Sequence, residues 1–423
     1  MTRAAHPQAG AATTVGPSAL APRPAAGRLV PSRLAGIDGL RAFAALWVVF
    51  FHMYSVSHVR LAYVPGLDLF LRSGSTGVSL FLVLSGFCLY LPFAGGRTSR
   101  FKTAAFFRRR WRRLMPSYYA SLPLSLALTL VGGARLGFPH LTWSQAAFHL
   151  LTHATMTYTL FPSTFYSLNG VYWSLGLEWQ LYLALPLLIW GSRRFGLRKT
   201  ATAAILCNVA YRLLLGQAID HGLVARSSLL ATAVLPNQLP GRWAEFVLGM
   251  IAADLYVTGR VGAWARRARY VVPALIPLGV VAHDWPLGHI VFGCVFFGLV
   301  SMVLASTTPI STVFSWPPLV AIGTMSYSVY LVHQLVIEGL VYVVHTHSHA
   351  SPTATFVILV LLLPLILLSA WVLFITVERY TLGARPALDS GAATAILFPD
   401  VTLPPWRLLQ HPGFRTMMRG FAW

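Results

Sequence analysis

Apolar stretches long enough to cross a membrane recur along the chain from residue 38 to residue 377, and polar stretches separate them. As an α-helix, a segment of about 20 residues spans the roughly 30 Å of hydrocarbon in a bilayer. The pattern therefore predicts an all-α polytopic membrane protein with about ten transmembrane helices. The predicted helices lie at residues 38–57, 77–93, 115–132, 172–190, 200–216, 243–258, 270–283, 288–305, 318–343 and 354–377.

A further helical stretch at 141–160 is not counted among the ten. It contains His149, His153 and several threonines. These polar side chains favour an interfacial or re-entrant helix over one that crosses the hydrocarbon.

The composition narrows the class of protein. Of the 423 residues, 56% are hydrophobic and 10% are charged, whereas soluble domains usually carry about 25% charged residues. An ordinary soluble enzyme is therefore not expected. The 25 Phe, 16 Tyr and 13 Trp argue against a disordered chain, and only three Cys argue against a disulfide scaffold.

Basic residues are distributed unequally over the predicted topology. The chain has 32 Lys and Arg against 11 Asp and Glu, a net charge of +21. Of the basic residues, 25 lie in the tails and in the loops after even-numbered helices, and six lie on the opposite side. The positive-inside rule then places both termini in the cytoplasm, with residues 1–33 and 381–423 as tails. We expect the lipid bilayer as a partner, and no nucleic acid.

The first predicted helix carries two ionisable residues that are costly inside a membrane. Arg41 and His52 are eleven residues apart, which at 100° per residue is three turns plus about 20°. Both side chains therefore project from one face, about 16 Å apart along the helix axis, and we expect them to face the same cavity. A second interpretation is that Arg41 reaches to the lipid headgroups while His52 is a hydrogen-bonded interior histidine.

Glu178 is the second unusual residue, within Trp-Ser-Leu-Gly-Leu-Glu-Trp-Gln of the fourth predicted helix. A carboxylate in a membrane helix requires a cation or several hydrogen-bond donors. Glu178 is expected to pair with Arg41 or to orient His52. The alternative is a structural carboxyl that packs beside Trp173 and Tyr182.

A basic cluster precedes the third predicted helix at residues 108–113. Clusters beside a membrane helix often bind anionic lipids. However, Arg110 and Arg113 are three residues apart and can point the same way on a helix. Their guanidinium groups suit the phosphates of a cytoplasmic coenzyme A thioester.

The remaining candidates are weaker. His333, near the end of Ser-Tyr-Ser-Val-Tyr-Leu-Val-His, is a second site histidine or an interior one. Ser85-Gly86 favours close helix packing. The alternating histidines at 345, 347 and 349 lack a nearby carboxylate or cysteine, so no metal site is predicted.

At these residues the sequence resembles the membrane acyltransferase-3 family, whose members are integral-membrane O-acyltransferases acting on sugars, polysaccharides and macrolides. The resemblance covers the region from about residue 33 to residue 379. Five motifs carry it, in order: Arg41 and His52; Phe-Leu-Val-Leu-Ser-Gly-Phe at 81–87; Arg110 and Arg113 before Pro116; Trp173-Ser-Leu with Glu178; and Ser-Tyr-Ser-x-Tyr-Leu-x-His ending at His333. Where the family often has a second acidic residue, this chain has Trp179.

The resemblance implies a transmembrane acyltransferase domain at residues 34–380 in the cell membrane. It implies acyl-CoA, most simply acetyl-CoA, as donor and a hydroxylated sugar, polysaccharide or macrolide as acceptor. Together with the residue chemistry, it predicts that Arg110 and Arg113, with Arg109 and Arg112, bind the CoA phosphates.

Three residues are predicted to be catalytic. Arg41 anchors the donor or polarises its carbonyl, His52 is the general base and Glu178 supports His52. A covalent acyl-histidine is the variant mechanism. The residues predicted to surround this set are His333, Trp173 and Ser85.

A multi-pass transporter of a small or lipophilic solute is the alternative function, since it would also have sparse intramembrane charges. A third possibility combines the two and passes acyl groups across the bilayer to an acceptor outside. The sequence does not distinguish an acceptor on the outside from one on the inside.

Overall fold

We analysed a computed structural model of the chain. It describes residues 34–381, apart from 62, 97–99, 133–140, 283–284 and 307. The predicted tails at 1–33 and 381–423 therefore lie outside the described residues, except for Thr381. Within the described part every regular element is a helix.

Fifteen helices of six or more residues follow one another along the described chain. They are α1 (Ala35–Ser57), α2 (Pro65–Arg72), α3 (Gly77–Tyr90), α4 (Thr103–Gly132), α5 (Trp143–Ala154), α6 (Trp173–Phe195), α7 (Leu197–Asp220), α8 (Leu239–Val257), α9 (Val261–Val281), α10 (Gly288–Leu304), α11 (Pro309–Phe314), α12 (Pro317–Thr324), α13 (Ser326–His347), α14 (Pro352–Leu361) and α15 (Leu363–Leu373).

Five helical segments are long and apolar enough to cross a membrane. They are Ala35–Ser57, Pro65–Phe93, Leu197–Asp220, Ser326–His347 and Leu363–Thr381. An all-α membrane protein is thus supported by the structure. Helices also occupy the other predicted segments, but α4, α6 and α8 carry arginine, glutamate, glutamine or tryptophan side chains that lower their hydropathy.

Several predicted boundaries differ from the structure. The basic cluster lies in the first turns of α4 and not in a loop. The ninth predicted helix is divided into α12 and α13 at Met325, and the tenth is divided at Leu362, just before Pro364. Proline lacks a backbone N–H and clashes with the preceding turn, so an uninterrupted helix at 354–377 is not formed.

The stretch at 141–160 contains α5, whose twelve residues rise only about 18 Å and cannot span the hydrocarbon. The Thr142 hydroxyl accepts a hydrogen bond from the backbone N–H of Gln145, and the Gln145 side chain accepts one from the Thr142 backbone. This capping box fixes where α5 begins.

Close packing of α3 against α8 organises the centre of the bundle. A Cβ atom added at Gly86 would lie 1.9 Å from the carbonyl oxygen of Phe246, and one added at Gly249 would lie 2.0 Å from that of Val83. Only glycine allows the two backbones to approach so closely. The expected packing role of Ser85-Gly86 is therefore found in the structure, and it places α3 beside the cavity described next.

Candidate active site

A cavity with an empty volume of about 850 Å³ lies between α1, α3, α4, α6 and α13. This volume includes space that is open to solvent. Among the described residues, its lining includes three guanidinium groups and one carboxylate. The polar and charged side chains that line it are Arg41, Ser85, Cys88, Arg110, Arg113, Ser174, Glu178, Tyr182, Ser326, Tyr327 and Tyr330.

Two of the three arginines come from α4, where helical geometry directs them to the same side. Arg110 and Arg113 are half-buried and both line the cavity. The guanidinium of Arg110 lies over the rings of Phe106 and Tyr182, 5.7 and 5.8 Å from their centroids. Its Nε is buried without a hydrogen-bond partner among the described residues, so this group retains a donor for an anionic ligand.

Arg109 and Arg112 occupy the opposite side of the same helix. Both are exposed, and neither lines the cavity. The structure therefore brings only two of the four arginines predicted to bind phosphate to this site. The other two are placed where lipid headgroups or solvent would meet them.

Arg41 reaches the cavity from α1. Its Nη1 lies 3.5 Å from Oδ1 of Asp38, one turn earlier, and its Nη2 donates to the sulfur of Cys88 at 3.4 Å. The negative charges of Asp38 and Glu178 both act on this guanidinium. Arg41 is thus held at the cavity wall by Asp38 of its own helix and by Cys88 of α3.

Glu178 lies on the α6 side of the cavity and is held by neutral donors. The Tyr182 hydroxyl donates to its Oε1 at 2.5 Å, and the Ser85 hydroxyl donates to the same oxygen at 3.2 Å. Within the described residues, Glu178 has no hydrogen bond to His52. It lines the same cavity as Arg41, but the described residues show no ion pair between the two, and its bond to Tyr182 agrees with the alternative of a structural carboxyl.

His52 does not line the cavity, although the spacing from Arg41 predicted that it would. The two side chains are separated by three turns of α1, which places His52 beyond the end of the lining. There its Nδ1 lies 2.8 Å from the carbonyl oxygen of Val48 and 3.3 Å from Nε2 of His333. The two imidazole rings are 5.1 Å apart between centroids.

Tyr330 connects the cavity to this histidine pair. Its ring lines the cavity and packs 5.7 Å from the ring of His333, one turn later on α13. Its hydroxyl donates to the carbonyl of Val171 at 2.8 Å and is hydrogen-bonded to Ser174. His52, His333 and the cavity are therefore parts of one continuous region.

The two other residues predicted to surround the site have different positions. Ser85 lines the cavity and contacts Glu178 directly. Trp173 lies outside the lining, stacked on Phe165, with the guanidinium of Arg242 5.9 Å from its ring centroid.

A buried ion pair close to the site was missed in the sequence. Arg242 donates to both carboxylate oxygens of Glu245, at 3.0 and 2.8 Å, and also to Ser79 and Asn237. Glu245 is fully buried. The only signal in the sequence is the arginine and glutamate three residues apart in a mostly apolar segment, which places both on one face of α8.

The short helix α5 carries two buried histidines, His149 and His153, that the sequence did not assign to the site. His153 stacks on Tyr158 with 4.2 Å between ring centroids. Burial lowers the pKa of His153 to about 4, so it is neutral near pH 7. Within the described residues, no group of three or more His, Cys, Asp or Glu could hold a metal ion.

Comparison with known proteins gives a consistent set of relatives. A family model described as an acyltransferase domain matches residues 34–375. O-acetyltransferase OatA of Staphylococcus aureus is 24% identical over 332 residues, which cover 73% of this chain and 51% of OatA. Acyltransferase MdmB of Streptomyces mycarofaciens is 26% identical over 328 residues, which cover 72% of this chain and 79% of MdmB.

A partial match is found to nodulation protein 10 of Rhizobium leguminosarum bv. viciae. It is 29% identical over 182 residues, which cover 40% of this chain and 48% of that protein. The chain spans about half the length of the OatA relatives that it matches. No solved structure matches it.

Proposed function

The chain belongs to the acyltransferase-3 family, and from this premise we propose that it is an integral-membrane O-acyltransferase. It moves an acetyl or other short acyl group from acyl-CoA to a hydroxyl of a sugar, glycan or macrolide-type acceptor. One observation carries the proposal: a cavity among membrane helices is lined by three guanidinium groups and one carboxylate. Such a site retains positive charge until an anionic ligand enters it.

The charge of the cavity supports a polyanionic donor. Arg110 and Arg113 line it, and Arg110 has a buried unpartnered Nε. Guanidinium groups bind phosphate through paired, charge-assisted hydrogen bonds. We therefore assign the phosphates of acyl-CoA to this end of the cavity, with Arg41 toward the thioester.

The acyl transfer itself is assigned to the region of His52. A neutral imidazole takes the proton of the acceptor hydroxyl as that oxygen attacks the thioester carbonyl. The C–O bond forms, the C–S bond breaks, and the proton then passes to the departing thiolate. Arg41 stabilises the negative charge of the donor, and Glu178 limits the excess positive charge of the cavity.

The acceptor class rests on the family resemblance and on relatives whose names describe O-acetyl or acyl transfer. The proposed topology has ten crossings of the cell membrane, with both termini and the start of α4 on the cytoplasmic side. In that topology the phosphate end of the cavity meets the compartment that contains acyl-CoA.

The test is transfer by the detergent-purified protein, given radiolabelled acetyl-CoA and a panel of hydroxylated acceptors. We expect label on an acceptor, and a loss of about 10²- to 10⁴-fold in His52→Ala, the range for removing a general base. Arg41→Ala should also lose most activity. His347→Ala and Arg60→Ala, which change exposed residues of the same types, serve as controls and should keep wild-type turnover.

Two results would count against the proposal. Wild-type turnover in His52→Ala and Arg41→Ala would remove both from the catalytic set. A protein that is folded but neither binds CoA nor transfers label would not be an acyl-CoA-dependent enzyme, and solute uptake by reconstituted vesicles would then support a transporter.

A further inference from the structure

The imidazole of His333 is placed against that of His52 by two helices that are far apart in the sequence. Nε2 of His333 lies 3.3 Å from Nδ1 of His52, and the rings are inclined at 62°. His333 is fully buried, whereas His52 is half-buried. We propose that His333 is the positioning residue of the acyl transfer: it holds His52 in one tautomer and accepts a hydrogen bond from its imidazolium form.

The backbone of α13 fixes the tautomer of His333. Its Nδ1 lies 3.0 Å from the carbonyl oxygen of Val329 and 2.9 Å from that of Tyr330. A carbonyl oxygen only accepts hydrogen bonds, so Nδ1 must carry the proton. In the neutral ring Nε2 is then left with a lone pair, and this nitrogen faces His52.

The same argument applies to His52 on α1. Its Nδ1 lies 2.8 Å from the carbonyl oxygen of Val48, so this nitrogen also carries a proton. The proton is directed at Val48 and, at longer range, at the lone pair of His333. Nε2 of His52 therefore holds the free lone pair, and it has no hydrogen-bond partner among the described residues.

In this arrangement the partner of the general base His52 is the neutral imidazole of His333. The acceptor hydroxyl gives its proton to Nε2 of His52 as its oxygen forms a bond to the acyl carbon. The resulting imidazolium shares its Nδ1–H between the Val48 carbonyl and Nε2 of His333. The proton on Nε2 of His52 passes to the thiolate when the C–S bond breaks. Charge-assisted hydrogen bonds are shorter and stronger than neutral ones, so the bond to His333 strengthens as the positive charge forms.

Among the described residues, no carboxylate is hydrogen-bonded to either imidazole. Glu178 is hydrogen-bonded to Tyr182 and Ser85 across the cavity, and within the described residues none of its bonds reaches either histidine. A neutral imidazole also suits a buried position, because an additional buried charge would carry a large desolvation cost.

The inference rests on the proposed acyl transfer, and its kinetic test compares two substitutions at one position. In His333→Leu the lone pair is lost, and we expect kcat to fall at least tenfold while KM for acetyl-CoA stays within twofold. In His333→Gln the side-chain oxygen lies near the position of Nε2 and accepts the same hydrogen bond, so most of kcat should return. His345→Leu removes an exposed histidine from the same helix and should have no effect.

A double variant separates positioning from a merely structural effect. If His333 acts only through His52, adding His333→Leu to His52→Ala should cause no further loss of transfer. Equal losses in His333→Gln and His333→Leu, additive losses in the double variant, or wild-type kcat in His333→Leu would each overturn the proposal.

Nitrogen NMR of histidine-labelled protein tests the pair independently of turnover. Single variants at positions 52 and 333 assign the signals, and both rings are expected as neutral Nδ1–H tautomers at pH 7.5. An Nε2–H tautomer at either position would refute the arrangement. If wild-type protein transfers no label, the proposed function fails. The tautomers measured by NMR would still show whether the two histidines are arranged as proposed.

Discussion

Cys88 is a single residue that gives chemical access to the cavity. Its thiol lines the cavity and accepts a hydrogen bond from Arg41, and Cys207 is exposed on another helix. We expect a small maleimide to label Cys88 and to abolish transfer, because the adduct fills the donor site. Saturating CoA should slow the labelling of Cys88 at least tenfold and leave that of Cys207 unchanged.

The controls for this labelling use the same positions. Cys88→Ser should make the remaining activity resistant to the maleimide, and mass spectrometry reports which cysteine is modified. Labelling of Cys88 at the same rate with and without CoA would show that the donor does not occupy the cavity.

Residue spacing could predict which side chains share a helix, but it could not predict contacts between side chains of different helices. The eleven-residue interval correctly placed Arg41 and His52 on one helix, but only Arg41 lines the cavity that both were predicted to face. It could not reveal that His333 contacts His52, because 281 residues separate the two in the sequence. The partners of Glu178 were equally hidden, since Ser85 reaches it from another helix.

At the scale of one element, α4 separates two kinds of arginine. Arg110 and Arg113 line the cavity, whereas Arg109 and Arg112 are exposed. Hydrogen bonds to charged groups contribute about 1.5–3 kcal/mol. We therefore expect Arg110→Ala and Arg113→Ala each to raise KM for acetyl-CoA by about tenfold or more.

The matched variants on the exposed side are Arg109→Ala and Arg112→Ala. They remove the same charge from the same helix and should change KM by less than twofold. Steady-state kinetics at fixed ionic strength provides the comparison. Equal increases in KM for the cavity-lining and the exposed variants would mean that the cluster acts through its overall positive charge and not as a binding site.

The crossing of α3 and α8 gives a second prediction at this scale. A methyl group at Gly86 would meet the Phe246 carbonyl at 1.9 Å, so the helices must separate. Overpacking of this kind costs about 1–3 kcal/mol. We expect Gly86→Ala to lower the midpoint temperature of unfolding in detergent.

Gly216 on α7 provides the control, because an added Cβ there has no atom within 4 Å among the described residues. Gly216→Ala should leave the midpoint unchanged or raise it slightly, as alanine favours helix. If Gly86→Ala were equally harmless, the close approach would not be required for folding.

Helix breaks were harder to predict than helices. Apolar length alone suggested a continuous helix at 354–377, yet Pro364 follows the break between α14 and α15. The sequence contains this signal, but prolines inside α4, α6 and α9 do not end those helices. Surrounding helices decide which proline interrupts a membrane segment and which is accommodated.

At the scale of the whole molecule, the proposed membrane topology rests on the distribution of arginines. Tyr63 lies after α1 and Arg198 lies at the start of α7, and both are exposed. In a cysteine-free background, Tyr63→Cys should react with a membrane-impermeant maleimide in intact cells. Arg198→Cys should react only after permeabilisation. The opposite pattern would invert the proposed orientation and place the arginine end of the cavity outside.

The class of the fold was predictable from apolar length, whereas the number of crossings was not. Five segments have the length and hydropathy of membrane helices. The helices that supply Arg110, Glu178 and Arg242 are not among these five, and each of them carries charged side chains. Charged side chains thus make these helices harder to recognise in the sequence as membrane-spanning segments.

An enzyme embedded in a bilayer must also avoid leaking protons down the electrochemical gradient. At the cavity Ser174 is hydrogen-bonded to Tyr330, the ring of Tyr330 packs against that of His333, and Nε2 of His333 lies 3.3 Å from Nδ1 of His52. Both imidazoles, however, direct Nδ1–H at main-chain carbonyls. A carbonyl has no proton to pass on, so a proton that passed from His52 to Nε2 of His333 would go no further than that ring. The pair can serve the acceptor hydroxyl while the membrane around it stays electrically insulated.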